Sequence, residues 1–274
     1  MTAGDLATFI VELKKDYQDK FNVGSIPYEI LPLDCPFTEI NEHLPKLNEF
    51  AAKNPIFYGG KEANILGSQC KILSCELTEY WIHSKKHDAC YQPFYPTWLF
   101  SALVFCLAAK SIGFLEIVDI GSGDARVPYC GAVLGLRTIS VELDSDLTAL
   151  QRQMIGSTGV EFEIINDDAC TTSFRASSLS RPIFLLSGLP EHGDFLAENV
   201  ISNLGPLKAR SVGFALMGSH SMKKYTKDST VYGWGQFIER HNMRVLDCLT
   251  LPTMWTNELQ VDTPFIFSLL AQES

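Results

Sequence analysis

A doubly wound, largely parallel α/β sheet of seven strands, preceded by a helical extension, is the fold this sequence predicts. Three observations predict it. Residues 115–120 form an apolar run with Asp119 near its end, broken by Gly121-Ser122-Gly123 and followed by a helical opening. That pattern fits a buried parallel strand, a tight turn and a crossover helix. A second short strand, 137–141, ends in Glu142 about 20 residues after the turn, where a Rossmann-like fold keeps the acid that accepts hydrogen bonds from ribose hydroxyls. Strand-like runs then recur to residue 270, most of them separated by helical stretches.

Taken in order, residues 5–21 place Leu6, Phe9, Ile10, Leu13, Tyr17 and Phe21 at three- and four-residue intervals. This is the single apolar stripe of an amphipathic helix. Pro27, Pro32 and Pro36 forbid a helix interior over 22–37, which reads as an extended connection. A second helix is expected over 39–53, stopped at Asn54-Pro55. After a turn at Gly59-Gly60, the spacing of Leu66, Cys70, Leu73, Leu77 and Tyr80 predicts a third helix to about residue 84. His83 and His87 lie near its end beside Lys85 and Lys86; they read as solvated side chains, and no metal is expected. The expected division is a helical extension over 1–90 and the sheet domain over 91–274.

Thr97 is placed to cap a helix over the apolar stretch 98–109. That stretch falls short of the roughly 18 to 20 residues that cross a bilayer, so no membrane insertion is expected. Residues 128–134 and 146–155 supply short crossover helices. A third strand, 160–165, runs into Asn166-Asp167-Asp168-Ala169, where an acid can accept from the exocyclic amino group of adenine. The fourth, 181–186, opens into Ser187-Gly188-Leu189-Pro190-Glu191. A helix over 192–203, a strand over 210–217, a helix over 231–242 and a strand over 245–251 follow, and 263–270 closes the sheet as an edge strand. The connections 218–232 and 252–262, the second carrying Trp255, are expected to cover a substrate entrance, because open α/β sheets keep ligands beyond the carboxyl ends of their strands.

Composition narrows the function. With 46% hydrophobic and 20% charged residues the chain is globular, and its formal charge of −10 disfavours a protein whose task is to hold nucleic acid. The eight cysteines form no CxxC pair and read as buried hydrophobes in a reducing compartment, which makes the expected location cytoplasmic. Gly121 and Gly123 let the backbone pass close to a ligand. A dinucleotide turn wants a third glycine where Arg126 stands, which argues against NAD or FAD.

Val118-Asp119-Ile120-Gly121-Ser122-Gly123, the acid Glu142 and the pair Asp168-Ala169 resemble the ordered motifs of class I S-adenosylmethionine-dependent methyltransferases, whose fold is a seven-stranded doubly wound sheet. More narrowly, Pro93-Phe94-Tyr95-Pro96-Thr97, the string from Gly121 to Val127 and Ser187-Gly188-Leu189-Pro190 resemble the lysine methyltransferases of the ATP-synthase c-subunit and their archaeal relatives. The resemblance spans residues 91–220. It departs at Ala125, where the family has glycine, and nothing before residue 90 matches.

The resemblance implies an S-adenosylmethionine cofactor held by Tyr95, Asp119, Gly121, Ser122, Gly123, Asp124, Glu142, Asp168, Ala169 and Ser187. Asp119 would orient the methionyl ammonium, Glu142 hold the ribose and Asp168 meet the adenine. Phe94 and Tyr95 have two readings, an aromatic wall for the sulfonium or a hydrophobic hinge. Glu191 and His192 are the catalytic candidates, as proton acceptor or as partner of an incoming ammonium; the other reading is that they only cap the following helix. The implied acceptor is a protein lysine, which must lose its proton before attack. A protein substrate is preferred over a small molecule, with a cofactor-binding scaffold without transfer activity as a further alternative. Nucleic acid is disfavoured, since the Asn-Pro-Pro-aromatic motif that holds nucleobase amino groups is absent after the fourth strand.

Overall fold

The first helix, α1 (Ala3–Lys20), begins where Thr2 and Asp5 form a reciprocal capping box, each side chain accepting from the other's backbone N–H. Its predicted stripe is buried, from Leu6 through Phe9, Ile10 and Leu13 to Tyr17. We describe the chain from a computed structural model covering residues 1–21, 27–76, 96–174, 179–187, 190–205, 211–218, 234–259 and 261–271, with the side chains of 190–194 and 255 set aside. After α1 come β1 (Tyr28–Pro32), the short α2 (Thr38–Asn41), α3 (Leu44–Lys53), β2 (Phe57–Ile65) and β3 (Ser68–Cys75). The three strands form an antiparallel sheet in the order β1-β3-β2.

The helix expected from Leu66 onward is therefore replaced by a hairpin. Ile65 pairs with Ser68, and Leu66 and Gly67 between them both adopt positive φ, 52° and 86°. A two-residue hairpin turn of this kind requires positive φ at both central positions. Leucine in the first of them hides the turn, and the expected turn at Gly59-Gly60 lies inside β2 instead. The extension is thus mixed α/β rather than helical. Residues 77–95, with His83, His87, Phe94 and Tyr95, lie outside the described residues.

The large sheet is framed by α4 (Leu99–Ile112), β4 (Glu116–Ile120), α5 (Arg126–Val133), β5 (Arg137–Glu142), α6 (Ser145–Thr158), β6 (Glu163–Asn166), β7 (Pro182–Leu186), α7 (Pro190–Ser202), β8 (Gly213–Met217), α8 (Trp234–Arg240), β9 (Arg244–Leu251) and β10 (Thr263–Leu269). Its strand order is β6-β5-β4-β7-β8-β10-β9, with the first five strands parallel and β10 antiparallel to both neighbours. Alternation along the strands separates two cores. Ile117, Ile183, Leu185, Ala215 and Phe265 face the layer of α1, α4, α5 and α6. Val118, Phe184, Leu186, Phe214 and Ile266 face that of α7 and α8.

The expectation that β10 lies at an edge is corrected: the edges are β6 and β9. Six of the seven residues of β10 are buried, whereas β9 has exposed and half-exposed residues along most of its length. Strands covered on both faces read as continuous apolar runs, and Thr-Pro-Phe-Ile-Phe-Ser-Leu is one. Helix α4 is apolar on every side and buried nearly throughout, and Gly113 stops it in the left-handed conformation at φ 98°. Thr97 does not cap it. Trp98 is the N-cap residue, without a side-chain cap, and the Leu99 N–H donates instead to the Glu29 carboxylate of β1 at 2.7 Å.

Candidate cofactor site

The carboxyl ends of β4, β5 and β7 bring the central candidates to one edge. Ile120 lies opposite Val141 on one side and Leu186 on the other, so Gly121, Glu142 and Ser187 follow neighbouring strand ends. Beyond Ile120 the chain takes left-handed φ at alternate residues, 70° at Gly121, 58° at Gly123 and 62° at Ala125. A Cβ built on Gly121 would meet nothing within 4 Å. The bend is open there, and glycine satisfies a conformation that other residues adopt only at a cost.

Four amide groups of the bend are taken up within the protein. The N–H groups of Gly121 and Ser122 both donate to the Val141 carbonyl, at 2.8 and 3.3 Å, and that of Ala125 donates to the Ser122 carbonyl at 2.9 Å. The Gly123 N–H donates to Glu142 Oε2 at 2.7 Å. The other oxygen of Glu142 accepts from the Asp144 N–H at 3.0 Å. Burial pushes the Glu142 carboxyl above its ordinary value, and these two amide bonds pull it back.

Asp119 has no such support. It is 3% exposed, and among the described residues its carboxylate receives no hydrogen bond. Burial, and then the charges of Glu142 and Asp124, hold its pKa well above the usual carboxylate range. A buried acid without a donor is costly unless a ligand supplies one.

Ser122 and Asp124 have side chains committed to the protein. Ser122 Oγ is hydrogen-bonded to Ser140 Oγ and accepts from Gln151 Nε2 at 3.1 Å. Gln151 Nε2 also donates to the Gly123 carbonyl at 2.7 Å. Asp124 is fully buried and receives Arg126 Nη2 at 2.7 Å, Arg126 Nε at 2.9 Å and Asn54 Nδ2 at 2.9 Å. Arg126, in the place of a third glycine, continues to Glu29 and donates to the Thr97 carbonyl at 2.5 Å.

At the far side of the site, Asn166 lies opposite Glu142. Asp168 is half-buried and accepts from the Cys170 N–H at 2.8 Å, and Ala169 is buried. Ser187 is half-buried just past β7. Glu191 and His192 fall in the first turn of α7, with side chains outside the described residues, as is Tyr95 altogether. Among the described residues no group of three or more His, Cys, Asp or Glu side chains could hold a metal ion. No described helix is long and apolar enough to cross a membrane.

Four residues of this arrangement escape the sequence reading: Glu29, Asn54, Ser140 and Gln151. Two carry a local signal. Glu29 is an acid inside the apolar run of β1, and Gln151 interrupts the buried stripe Leu147, Leu150 and Met154 of α6. A polar residue on an apolar stripe is unusual enough to demand a partner.

No family model matches the chain, and no curated protein matches it. Solved structures do resemble it in fold. A putative RNA methyltransferase from Pyrococcus horikoshii is 15% identical, over 72% of this chain and 98% of that one, with a TM-score of 0.46. The Pyrococcus abyssi tRNA (uracil-54, C5)-methyltransferase, in complex with S-adenosyl-L-homocysteine, is 12% identical over 62% of this chain and 38% of its own, with a TM-score of 0.45. Magnesium protoporphyrin IX methyltransferase from Synechocystis, with bound S-adenosylmethionine, is 10% identical over 63% and 78%, with a TM-score of 0.45. The seven-stranded, mostly parallel sheet with helices on both faces agrees with the doubly wound fold that the sequence predicts. The expectation of a protein substrate, with nucleic acid disfavoured, is corrected: the structures that share the fold are named for RNA, tRNA and a porphyrin. The comparisons do not show the narrower resemblance to c-subunit lysine methyltransferases.

Proposed function

We propose that the protein is an S-adenosylmethionine-dependent methyltransferase. Asp119 is the observation that carries this reading, a buried carboxylate at the end of β4 that receives no hydrogen bond among the described residues. Around it the described cluster holds four buried carboxyl groups, Glu29, Asp119, Asp124 and Glu142, and Arg126 is the guanidinium bonded to two of them. Such a site favours a cationic ligand. S-adenosylmethionine brings an ammonium and a sulfonium, and when bound it supplies a methyl group that a nucleophile can take by in-line displacement.

The residues fit that group. Asp119 accepts from the ammonium, the remaining lone pairs of Glu142 accept from the ribose hydroxyls, and Gly121 leaves the bend open for close approach. Asp168 meets the adenine edge. For displacement on carbon the protein's task is to hold the acceptor within about 3 to 3.5 Å of the methyl and to keep water out. We place the protein in the cytoplasm, in keeping with the buried thiols of Cys35, Cys70, Cys75, Cys106 and Cys130.

The test is transfer of a tritiated methyl group from S-adenosylmethionine into lysate, with product divided into RNA, small-molecule and protein fractions. Label above the no-enzyme control in one fraction is expected and names the acceptor class. Label in none, together with no binding of S-adenosylhomocysteine by calorimetry, would remove the reading. Glu142→Ala is expected to weaken S-adenosylhomocysteine binding about tenfold or more, and unchanged affinity would take Glu142 out of the site.

A further inference from the structure

The bend that approaches the ligand is held from behind by residues of the N-terminal unit. Glu29 lies on β1 and Asn54 just after α3, while Asp124 and Arg126 flank Ala125 at the exit of the bend. Asn54 Nδ2 donates to Asp124 Oδ2 at 2.9 Å, and its own Oδ1 accepts from the Ile56 N–H at 3.1 Å, which fixes the amide's orientation. Glu29 Oε1 pairs with Arg126 Nη1, while Oε2 accepts the Leu99 N–H at 2.7 Å. Arg126 reaches Asp124 through two nitrogens, a fork-on-carboxylate geometry that fixes direction as well as distance. None of these residues is more than 2% exposed.

We infer that Glu29 and Asn54 are positioning residues for the cofactor bend, so that the N-terminal unit sets cofactor affinity without touching the cofactor. The inference rests on the methyltransferase reading above. Position is what a buried pair of this kind supplies best. Against a well-packed apolar replacement, an ion pair taken out of water adds little net stability, and its attested use is to specify one arrangement. The bend needs such a constraint because Ala125 sits at φ 62° beside two left-handed glycines, where a residue with a Cβ gains nothing from its own backbone preference. At the front, Glu142 holds Gly123. At the back, the described bonds to the side chains of Asp124 and Arg126 from outside the bend come from Asn54, Glu29 and the Thr97 carbonyl. Release of the back lets the bend shift, and displacement of a supporting group by about 1 Å is enough to cost a site much of its function.

The test uses the full chain, S-adenosylhomocysteine as probe, calorimetry for affinity and thermal unfolding for stability. Glu29→Ala and Asn54→Ala are expected to bind about tenfold more weakly, with Glu29→Gln recovering part of that loss because its amide oxygen still accepts from Arg126 while its amide nitrogen no longer accepts from the Leu99 N–H. A purely structural role predicts lower unfolding temperatures in both alanine variants and affinity of the folded protein unchanged, and that result would overturn the inference. If Glu29→Ala does not fold, Asn54→Ala against the unaltered chain decides alone by the same criterion. Failure of the unaltered chain to bind the probe would overturn the methyltransferase reading and this inference with it. Unaltered binding in the variants would overturn the inference only.

Discussion

Asp119 and Asp124 stand at the two ends of one bend, and both are buried, at 3% and 0% exposure. Asp124 is saturated, taking bonds from Arg126 and from Asn54. Asp119 takes none among the described residues, and two nearby carboxylates oppose its ionisation. The rear of the bend is satisfied internally, as structural polar groups are. At the front Asp119 lacks a donor among the described residues, which disfavours folding and favours a ligand that brings a donor and positive charge. Proteins tolerate that conflict mainly where function requires it.

The sharpest way to break this contrast is to empty the satisfied side. Arg126→Met leaves Glu29 and Asp124 buried without their common partner, and loss of about 3 to 5 kcal/mol of unfolding free energy is expected. Denaturant titration checks it. A carboxyl left bare in the interior has a raised pKa in the folded state, so its stability contribution is present at acid pH and lost as pH rises. The deficit should therefore shrink as pH falls. A loss below about 1 kcal/mol at neutral pH would mean the network behaves like a surface pair.

The contrast also explains what was legible. The places of Asp119, Gly121 and Glu142 at strand ends and in the turn are legible because strand, turn and strand-end acid follow one another at short intervals along the chain. Glu29 and Asn54 are not, since they meet their partners across 97 and 70 residues, and no local pattern encodes such pairings. For the same reason the seven strands were readable as segments, while the insertion of β10 between β8 and β9 was not, although its doubly apolar character pointed inward. The β2–β3 hairpin was misread because Cys70 and Leu73 satisfy helical spacing while the positive φ of Leu66 leaves no mark in the residue type.

On the unsatisfied side, Asp119→Asn is expected to weaken S-adenosylhomocysteine binding and yet stabilise the ligand-free protein. The sign follows from linkage. Asp119 in the folded chain holds its proton to a higher pH than in the unfolded chain. Its contribution to stability is therefore full below the unfolded value, about 3.9, and is lost as pH rises through the raised folded value. Asparagine does not titrate, so the variant should match the unaltered protein near pH 4 and exceed it at neutral pH by about 1 kcal/mol or more. Unfolding temperatures across that pH range test it. Equal stability at both ends would show that Asp119 has a donor after all.

The smallest expected effect lies just past Asp124, at Ala125. Its φ of 62° places a Cβ in the left-handed region, which costs an L-residue about 1 to 2 kcal/mol relative to glycine. Ala125 is fully buried, so removing the methyl group also forfeits about 0.8 kcal/mol of burial, and glycine adds freedom to the unfolded chain. The opposing contributions nearly balance, so Ala125→Gly should change unfolding free energy by less than about 1 kcal/mol in either direction. An ordinary buried alanine would lose more. What separates the two halves of the bend is the effect on affinity. If the rear network holds the backbone in place, glycine at 125 leaves S-adenosylhomocysteine binding within about twofold, because Asp124 and Arg126 still fix both flanks. A tenfold loss would mean that the methyl group itself helps hold the bend, and that Ala125 belongs with the rear network.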